Sequence, residues 1–277
     1  MRTENETPAR NRLDLAALRR AAIRPGGLWR AIDVVASTGS TNADLLARAR
    51  EPEGTVLATE HQQAGRGRLG RTWITPPRAA LTFSLLVKPD VPPSRRGWLP
   101  LLTGVAVAEA LTAVTDLQAT LKWPNDVLSA QGKLAGILAE AAADAIVVGI
   151  GVNVSTEQAE LPDRGPGALP AASLLTSGAK AQTLERTPML LAILDTFERW
   201  YLAWREAGGD PERSGLRAEY VKRSGTIGRQ VRAELPGGQA LSGPAVGVDG
   251  DGRLLVRPSS GADGVVSVAA ADVVHLR

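Results

Sequence analysis

Three glycines alternate with three arginines in the stretch from Gly65 to Arg71, directly after an apolar run from Thr55 to Glu60 that predicts a strand. The stretch matches the pattern G-x-G-x-x-G of dinucleotide-binding folds, in which a helix has to begin at the loop. Here the chain continues to Pro76 and Pro77, and adjacent prolines cannot build that helix. The dinucleotide-binding fold is therefore excluded. The loop is interpreted as an anion-binding connection between strands, because glycine lets backbone N–H groups approach a ligand and arginine supplies forked donors.

The pattern of predicted secondary structure changes near Gly225. Before this point, apolar strand candidates alternate with helices, of which the clearest begins at Thr187-Pro188 and stops before Gly208-Gly209. After it, short alternating strands are separated by turns rich in glycine, proline and aspartate, as in small β-barrels and sandwiches. We therefore predict an N-terminal tail with one short helix (residues 1–30), a main α+β domain (31–224) and a small C-terminal β domain (225–277).

The composition narrows the chemistry. The chain has no cysteine and only two histidines, His61 and His275, which excludes disulfides, thiol nucleophiles and metal sites built on cysteine or clustered histidine. The polar start of the chain does not resemble a secretory leader, and no run approaches the ~18 apolar residues of a membrane span, so a cytoplasmic protein without membrane contact is predicted. Too few residues precede Ser40 for a helix-turn-helix domain, and no nucleic-acid partner is expected.

A second polar group follows an apolar strand candidate in the middle of the chain: Lys122-Trp123-Pro124-Asn125-Asp126. A lone lysine is usually a solvated surface residue, but lysine, amide and carboxylate clustered at a strand end suit nucleotide chemistry. Lysine would neutralise phosphate, asparagine would read a base edge, and aspartate would bind Mg²⁺ or accept a proton. The group Ser40-Thr41-Asn42 leads into a short helix, and two interpretations stay open for it: ligand contact, or a helix cap at Thr41 or Asn42.

Several motifs in a fixed order resemble those of biotin protein ligases: Gly65-Arg-Gly67-Arg68-x-Gly70-Arg71-x-Trp73, Lys122-Trp-Pro-Asn125-Asp126, Lys133-Leu-Ala-Gly136-Ile-Leu-x-Glu140 and Gly149-x-Gly151-x-Asn153. The Ser40-Thr41-Asn42 element and the C-terminal domain resemble the same family, so the likeness extends from about Ser37 to the end of the chain. The short N-terminus resembles the monofunctional form, which lacks a DNA-binding domain. The family fold would be a mixed or antiparallel central sheet flanked by helices, as in biotinyl and lipoyl ligases, followed by a small SH3-like β-barrel.

The resemblance implies a reaction in two steps, with ATP and biotin as substrates and Mg²⁺ as the metal ion. Biotin and MgATP first give biotinyl-5′-adenylate and pyrophosphate. The biotinyl group then passes to a lysine in the biotin carboxyl-carrier domain of an acyl-CoA or pyruvate carboxylase. The enzyme would act as a monomer or weak dimer. Because the first step brings a carboxylate up to a phosphate, neutralising negative charge should contribute more than proton transfer.

The matched positions imply a role for each site residue. Biotin would be bound by Ser40, Thr41, Asn42, Gln62, Gly65, Arg66, Gly67, Arg68, Lys133 and Gly136. The nucleotide would be bound by Arg66, Arg68, Trp73, Lys122, Asn125 and Asn153. The catalytic residues would be Arg68, Lys122, Lys133 and Asp126. Asp126 would bind Mg²⁺ or accept the proton of the incoming lysine.

Two other functions stay open. A lipoate-type protein ligase would share the fold and the acyl-adenylate chemistry, but it lacks the Gly-Arg-Gly-Arg loop and the Lys-Trp-Pro-Asn-Asp group. A non-enzymatic, biotin-responsive regulator would need a DNA-binding segment. Two interpretations also remain for the C-terminal domain, which either helps to bind ATP or the carrier, or simply caps the catalytic sheet.

Overall fold

A computed structural model describes residues 9–142, 144–163, 169–235, 239–259, 264–269 and 272–276. The helices of this part of the chain are α1 Leu15–Ala22, α2 Thr41–Ala47, α3 Leu99–Thr115, α4 Arg186–Glu206 and α5 Leu216–Arg223. The strands before residue 154 are β1 Ala31–Val35, β2 Thr55–Thr59, β3 Gly65–Arg66, β4 Thr72–Trp73, β5 Ala80–Val87, β6 Thr120–Lys122, β7 Asp126–Leu128, β8 Lys133–Ala142 and β9 Ala145–Asn153. Short 3₁₀ turns lie at Arg68–Gly70, Pro93–Trp98, Gln158–Glu160 and Ala181–Thr183.

The central sheet has seven strands in the order β1-β2-β5-β9-β8-β7-β6. β1 and β2 run parallel, and the other neighbouring strands pair antiparallel. β5 and β9 pair in the interior of the sheet, with Phe83 opposite Ile150. Both strands are buried along nearly their whole length and are mostly apolar, because α2 lies on one face of the sheet and α3 and α4 lie on the other. The predicted mixed sheet flanked by helices is confirmed.

α3 is a core helix of this fold, and it packs against α4 and β8. With the 3₁₀ turn before it, the segment Pro93–Thr115 is long and apolar enough to cross a membrane by length and composition. No run of this kind was predicted from the sequence. Most of the segment is buried inside the protein, as expected of a helix that is apolar on nearly every side, and this burial accounts for its composition.

A second sheet follows residue 225. Its strands are β10 Gln230–Glu234, β11 Ala240–Val248, β12 Leu254–Val256, β13 Val266–Val268 and β14 Asp272–His275. They pair antiparallel in the order β13-β12-β11-β10-β14. Along β10, Val231 and Ala233 are buried between exposed neighbours, as expected of a sheet with one face on a small core. The predicted C-terminal β domain is confirmed, although its last strand, β14, was not predicted. The division of the chain at residues 30 and 224 stays a prediction.

Candidate active site

A pocket in the main domain gathers most of the residues that the motifs single out. It lies between α2, the Gly65–Arg71 loop and the hairpin of β6 and β7, over the strands β8 and β9. Its lining includes Ser40, Thr41, Asn42, Gln62, Arg66, Gly67, Arg68, Trp73, Lys122, Asn125, Asp126, Lys133 and Gly136. Two predicted site residues, Gly65 and Asn153, do not line this pocket in the part of the chain that the structure describes. The structure thus brings together residues that are scattered along nearly a hundred positions of the chain.

One end of the pocket is polar and lies at the start of α2. Ser40 caps this helix, since its hydroxyl accepts a hydrogen bond from the backbone N–H of Ala43 at 3.4 Å. The expected cap at Thr41 or Asn42 is therefore wrong, and both residues lie buried in the first turn instead. The side-chain oxygen of Gln62 accepts from the backbone N–H of Thr41 at 3.0 Å, which holds the glutamine beside the helix.

Two polar residues behind this end were missed by the sequence analysis. The hydroxyl of Ser84 lies 2.6 Å from the side-chain oxygen of Asn42 and 2.7 Å from the hydroxyl of Thr41. The amide nitrogen of Asn42 donates to the carbonyl of Leu138 at 3.1 Å and to the carboxylate of Glu140 at 2.7 Å. A serine inside the mostly apolar strand β5 could have indicated a buried polar contact at Ser84. Glu140 is part of the motif that begins at Lys133, but no role was predicted for it.

The Gly65–Arg71 loop folds as a narrow hairpin. β3 and β4 pair Gly65 with Trp73, and the backbone N–H of Gly67 donates to the carbonyl of Arg71 at 2.6 Å. Gly65 permits this close approach, because a Cβ atom there would lie 2.3 Å from the carbonyl oxygen of Trp73. The structure therefore gives Gly65 a part in shaping the loop, and its contact with biotin stays a prediction.

The indole of Trp73 lies across β8 and β9 at two glycines. A Cβ atom at Gly151 would lie 2.5 Å from the indole nitrogen, and one at Gly136 would lie 3.1 Å from the ring, so a larger residue at Gly151 would displace the indole. The ammonium group of Lys133 is 5.7 Å from the ring centroid. An aromatic ring at the edge of a cationic site suits stacking against a base, which is the role predicted for Trp73.

Cationic side chains gather near Asp126 at the other end of the pocket. The ammonium group of Lys133 is 2.5 Å from the carboxylate of Asp126, and the two side chains are only 12% and 15% exposed. Lys122 is opposite Asp126 across the β6–β7 hairpin. The guanidinium group of Arg68 donates to the side-chain oxygen of Asn125 at 3.4 Å. Because the cations outnumber the carboxylate, this end of the pocket suits an anionic ligand.

Asn153 ends β9 and braces the chain beside Lys133. Its buried side chain donates to the carbonyl of Ala172 at 2.9 Å. Ala172 in turn donates its backbone N–H to the carbonyl of Lys133, whose own N–H donates to Pro170. The structure therefore shows a supporting contact for Asn153, and its contact with the nucleotide stays a prediction.

The C-terminal domain holds the turn between Lys122 and Asp126. The backbone N–H of Trp123 donates to the hydroxyl of Thr226 at 3.1 Å, and its indole N–H donates to the carbonyl of Gly252 at 3.0 Å. The hydroxyl of Thr226 lies 3.1 Å from Nε2 of His275. The small domain thus contacts the backbone that carries two of the candidate catalytic residues.

Lowering the pH from 7 to 5 is expected to destabilise the folded chain through His275. Burial, followed by the charges of Lys122 and Arg229, lowers the pKa of His275 from 6.5 to about 4. Between these pKa values the unfolded chain takes up a proton that the folded chain does not, so stability falls with pH, by about 1 kcal/mol once solvent screening of this half-buried group is included. Urea unfolding at pH 7 and pH 5 measures the loss. The variant His275→Gln should lose less, and an equal loss in both proteins would contradict the assignment.

Known protein families match both domains. The biotin/lipoate A/B protein ligase family matches residues 31–156, and the biotin protein ligase C-terminal domain matches residues 226–276. The biotin–[acetyl-CoA-carboxylase] ligase of Mycobacterium tuberculosis is 46% identical over 273 residues, which cover 96% of each chain. The bifunctional ligase/repressor BirA of Bacillus spizizenii is 32% identical over 87% of this chain and 72% of its own length.

A solved structure shows the same likeness in three dimensions. The biotin protein ligase from Aquifex aeolicus in complex with biotin and ATP matches with a TM-score of 0.72 and 27% sequence identity. The match covers 90% of this chain and 100% of that one. Motifs, domain matches, a relative of nearly equal extent and the fold agree, and this chain therefore belongs to the biotin protein ligase family.

Proposed function

We propose that this chain attaches biotin to a lysine of a carrier domain by way of biotinyl-5′-adenylate. The observation that carries the proposal is the order of chemical groups along one pocket. Thr41 and Gln62 form a hydrogen-bonding end, Leu138 and the indole of Trp73 form an apolar wall, and Lys133 stands at a cationic end. Biotin presents a polar ureido head, an apolar body and a carboxylate in the same order, so the pocket is complementary to it.

The apolar wall comes from β8 of the central sheet and from the indole that lies across its glycine. Leu138 is on the same face of β8 as Gly136, which the ring of Trp73 covers, whereas Ile137 between them packs on the other face against α3. The methylene chain of biotin would lie along this wall, where each buried CH₂ group stabilises binding by about 0.8 kcal/mol. In this pose the carboxylate points toward Lys133, and the ureido ring lies at the start of α2.

In the first step, a carboxylate oxygen of biotin attacks the α-phosphorus of ATP. A bond between this oxygen and phosphorus forms while the bond to pyrophosphate breaks. Both reactants are anions, so fixed cations lower the barrier by opposing the charge that is concentrated in the transition state. Lys133, Arg68 and Lys122 are the groups proposed for this role, and Arg66 would bind both substrates from the loop.

The donor set at Asp126 fits a magnesium ion that arrives with ATP. Mg²⁺ in nucleotide sites is held by one or two carboxylates together with phosphate oxygens and water. Asp126 is the sole carboxylate among the described residues that line the pocket. The described part of the chain also has no cluster of three or more histidine or acidic side chains, so the phosphates would complete the coordination. When bound, the ion neutralises phosphate charge.

In the second step, the amine of the carrier lysine attacks the carbonyl carbon of the adenylate, and AMP leaves. The amine has to lose a proton, for which Asp126 is the proposed acceptor. This role is compatible with metal binding in the first step, because the two steps follow each other and pyrophosphate departs between them. No covalent enzyme intermediate is required.

The remaining assignments concern the setting of the reaction. Residues 31–224 would form the catalytic domain, and residues 225–277 would support it through the contacts to Trp123. The acceptor would be the biotin carboxyl-carrier domain of an acyl-CoA or pyruvate carboxylase. We place the enzyme in the cytoplasm as a monomer or weak dimer.

A labelling experiment tests the proposed function. The chain is incubated with a purified carrier domain, biotin, ATP and Mg²⁺, and the modified residue is located by mass spectrometry. We expect labelling of one carrier lysine that needs both biotin and ATP and is lost when this lysine is replaced by arginine. Labelling with lipoate in place of biotin would favour the lipoate-type ligase. No labelling with biotin would contradict the proposal.

A further inference from the structure

We infer that Ser84 and Glu140 set the direction of the hydrogen bonds at the polar end of the pocket, so that this end presents acceptors to the ureido N–H groups of biotin. The inference rests on the proposed function. Neither residue lines the described pocket, and both act through Asn42 and Thr41, which do. Ser84 and Glu140 are therefore positioning residues, and they determine which ring systems the pocket accepts.

Two hydrogen bonds fix the orientation of the side-chain amide of Asn42. Its nitrogen lies within hydrogen-bond distance of two oxygens that only accept, the carbonyl of Leu138 at 3.1 Å and the carboxylate of Glu140 at 2.7 Å. Rotating the amide by half a turn would place its oxygen against both acceptors and lose both hydrogen bonds. Both amide hydrogens of Asn42 are thus engaged inside the protein, and its oxygen faces Ser84.

The hydroxyl proton of Ser84 determines the direction of the next hydrogen bond. A serine hydroxyl has one proton, and that of Ser84 lies near two oxygens, Oδ1 of Asn42 at 2.6 Å and Oγ1 of Thr41 at 2.7 Å. The oxygen of Asn42 has no proton to offer, so Ser84 donates to it. The proton in the contact between Ser84 and Thr41 must then come from Thr41. Thr41 consequently turns lone pairs, and not its proton, toward the pocket.

The side-chain oxygen of Gln62 is a second acceptor at this end of the pocket. This oxygen accepts from the backbone N–H of Thr41 at 3.0 Å and lies 3.3 Å from the hydroxyl of Thr41. Because the hydroxyl proton is engaged with Ser84, this oxygen keeps a lone pair for a ligand. The polar end of the pocket therefore presents two acceptors, Oγ1 of Thr41 and Oε1 of Gln62.

The central sheet fixes this arrangement in place. Ser84, Gly149 and Leu138 stand in register on the neighbouring strands β5, β9 and β8, and the Asn42 side chain lies over this row. A Cβ atom at Gly149 would lie 2.2 Å from the side-chain oxygen of Asn42, so only glycine leaves room for it. Ser84 is fully buried and Asn42 is 4% exposed, which keeps water from offering alternative partners.

The consequence is a preference among ligand rings. The ureido ring of biotin has two N–H donors that match the two acceptors, whereas a dithiolane ring such as that of lipoate has none. A ring without N–H groups would leave buried acceptors unpaired, and sites that bind polar groups in this way reject such analogues strongly. Without Ser84 or the acceptor of Glu140, the hydroxyl of Thr41 is able to turn its proton into the pocket, and the preference weakens.

The experiment compares ligand preference among variants. Calorimetry measures binding of biotin and of two carbamate analogues, in each of which an oxygen atom replaces one ureido N–H group. We expect Ser84→Ala and Glu140→Met to reduce the preference for biotin over the weaker analogue by about tenfold. Glu140→Gln should restore the preference, because the amide oxygen of glutamine still accepts from Asn42. In the first half-reaction, KM for biotin should rise while kcat changes little.

The results distinguish a role in ligand preference from a purely structural role of Ser84 and Glu140. If Ser84→Ala and Glu140→Met weaken binding of biotin and of both analogues by the same factor, the residues only support the fold, and the inference is wrong. If the wild-type chain does not bind biotin, the proposed function itself fails. Glu140 is partly exposed, so Glu140→Met keeps the test informative even if Ser84→Ala does not fold.

Discussion

Replacing Lys133 with alanine is expected to slow biotin-dependent pyrophosphate release by about 100- to 1,000-fold, since a preorganised donor to developing charge contributes roughly 3–4 kcal/mol to the barrier. Lys133 begins β8 at the cationic end of the pocket, and its side chain is only 12% exposed. A charge in such a partly buried site acts more strongly than one in bulk water. Asp126 lines the pocket and is opposite Lys122 across the hairpin, so water and this second cation can compensate for the lost partner, and the melting temperature should fall far less than the rate.

Pyrophosphate release is followed with biotin and ATP before any carrier is added. Two controls separate the possible causes of a loss. The variant Lys222→Ala removes a lysine that is 74% exposed on α5, and its rate should equal that of the wild type. The double variant Lys133→Ala/Asp126→Asn removes the uncompensated carboxylate as well. Recovery of activity in the double variant would show that repulsion by Asp126 caused the loss, and unchanged release in Lys133→Ala would exclude the proposed role.

Local patterns predicted much of this fold and brought the candidate residues into view. Apolar runs identified β5 and β9, and alternating residues with glycine-rich turns identified most of the C-terminal domain. Many of the site residues lie at strand ends and turns, as in the Lys122–Asp126 hairpin and at Lys133. Their chemistry was readable because each motif is contiguous, and the family resemblance indicated that the motifs act together.

Contacts between distant strands were not predictable in the same way. The order of strands along the chain does not show that β5 lies between β2 and β9, and this placement puts Ser84 opposite Gly149 and beneath Asn42. The contact between the carbonyl of Gly252 and Trp123 depends likewise on how the C-terminal domain packs. Such partners are set by tertiary structure, so a single sequence leaves them without a role.

Replacing Arg186 with methionine is expected to destabilise the folded chain by about 3–5 kcal/mol, because it leaves a buried carboxylate without its cation. The guanidinium group of Arg186 is 2.5 Å from the carboxylate of Glu60, and the side chains are 4% and 11% exposed. It also donates to the carbonyls of Asn11 and Ala80. Among the residues that the structure describes, only the backbone N–H of Leu13, at 2.7 Å, would still donate to the side chain of Glu60 in the variant.

Urea unfolding at pH 7 measures this loss, and a second substitution shows where it comes from. The double variant Arg186→Met/Glu60→Gln removes both charges and should be clearly more stable than Arg186→Met alone, since a buried pair offsets much of its own desolvation cost. The surface pair of Arg217 and Glu212, with side chains 34% and 62% exposed, is the matched control, and Arg217→Met should cost less than about 1 kcal/mol. Equal losses for Arg186→Met and Arg217→Met would show that burial adds nothing to the pair that ties the N-terminal segment to the start of α4.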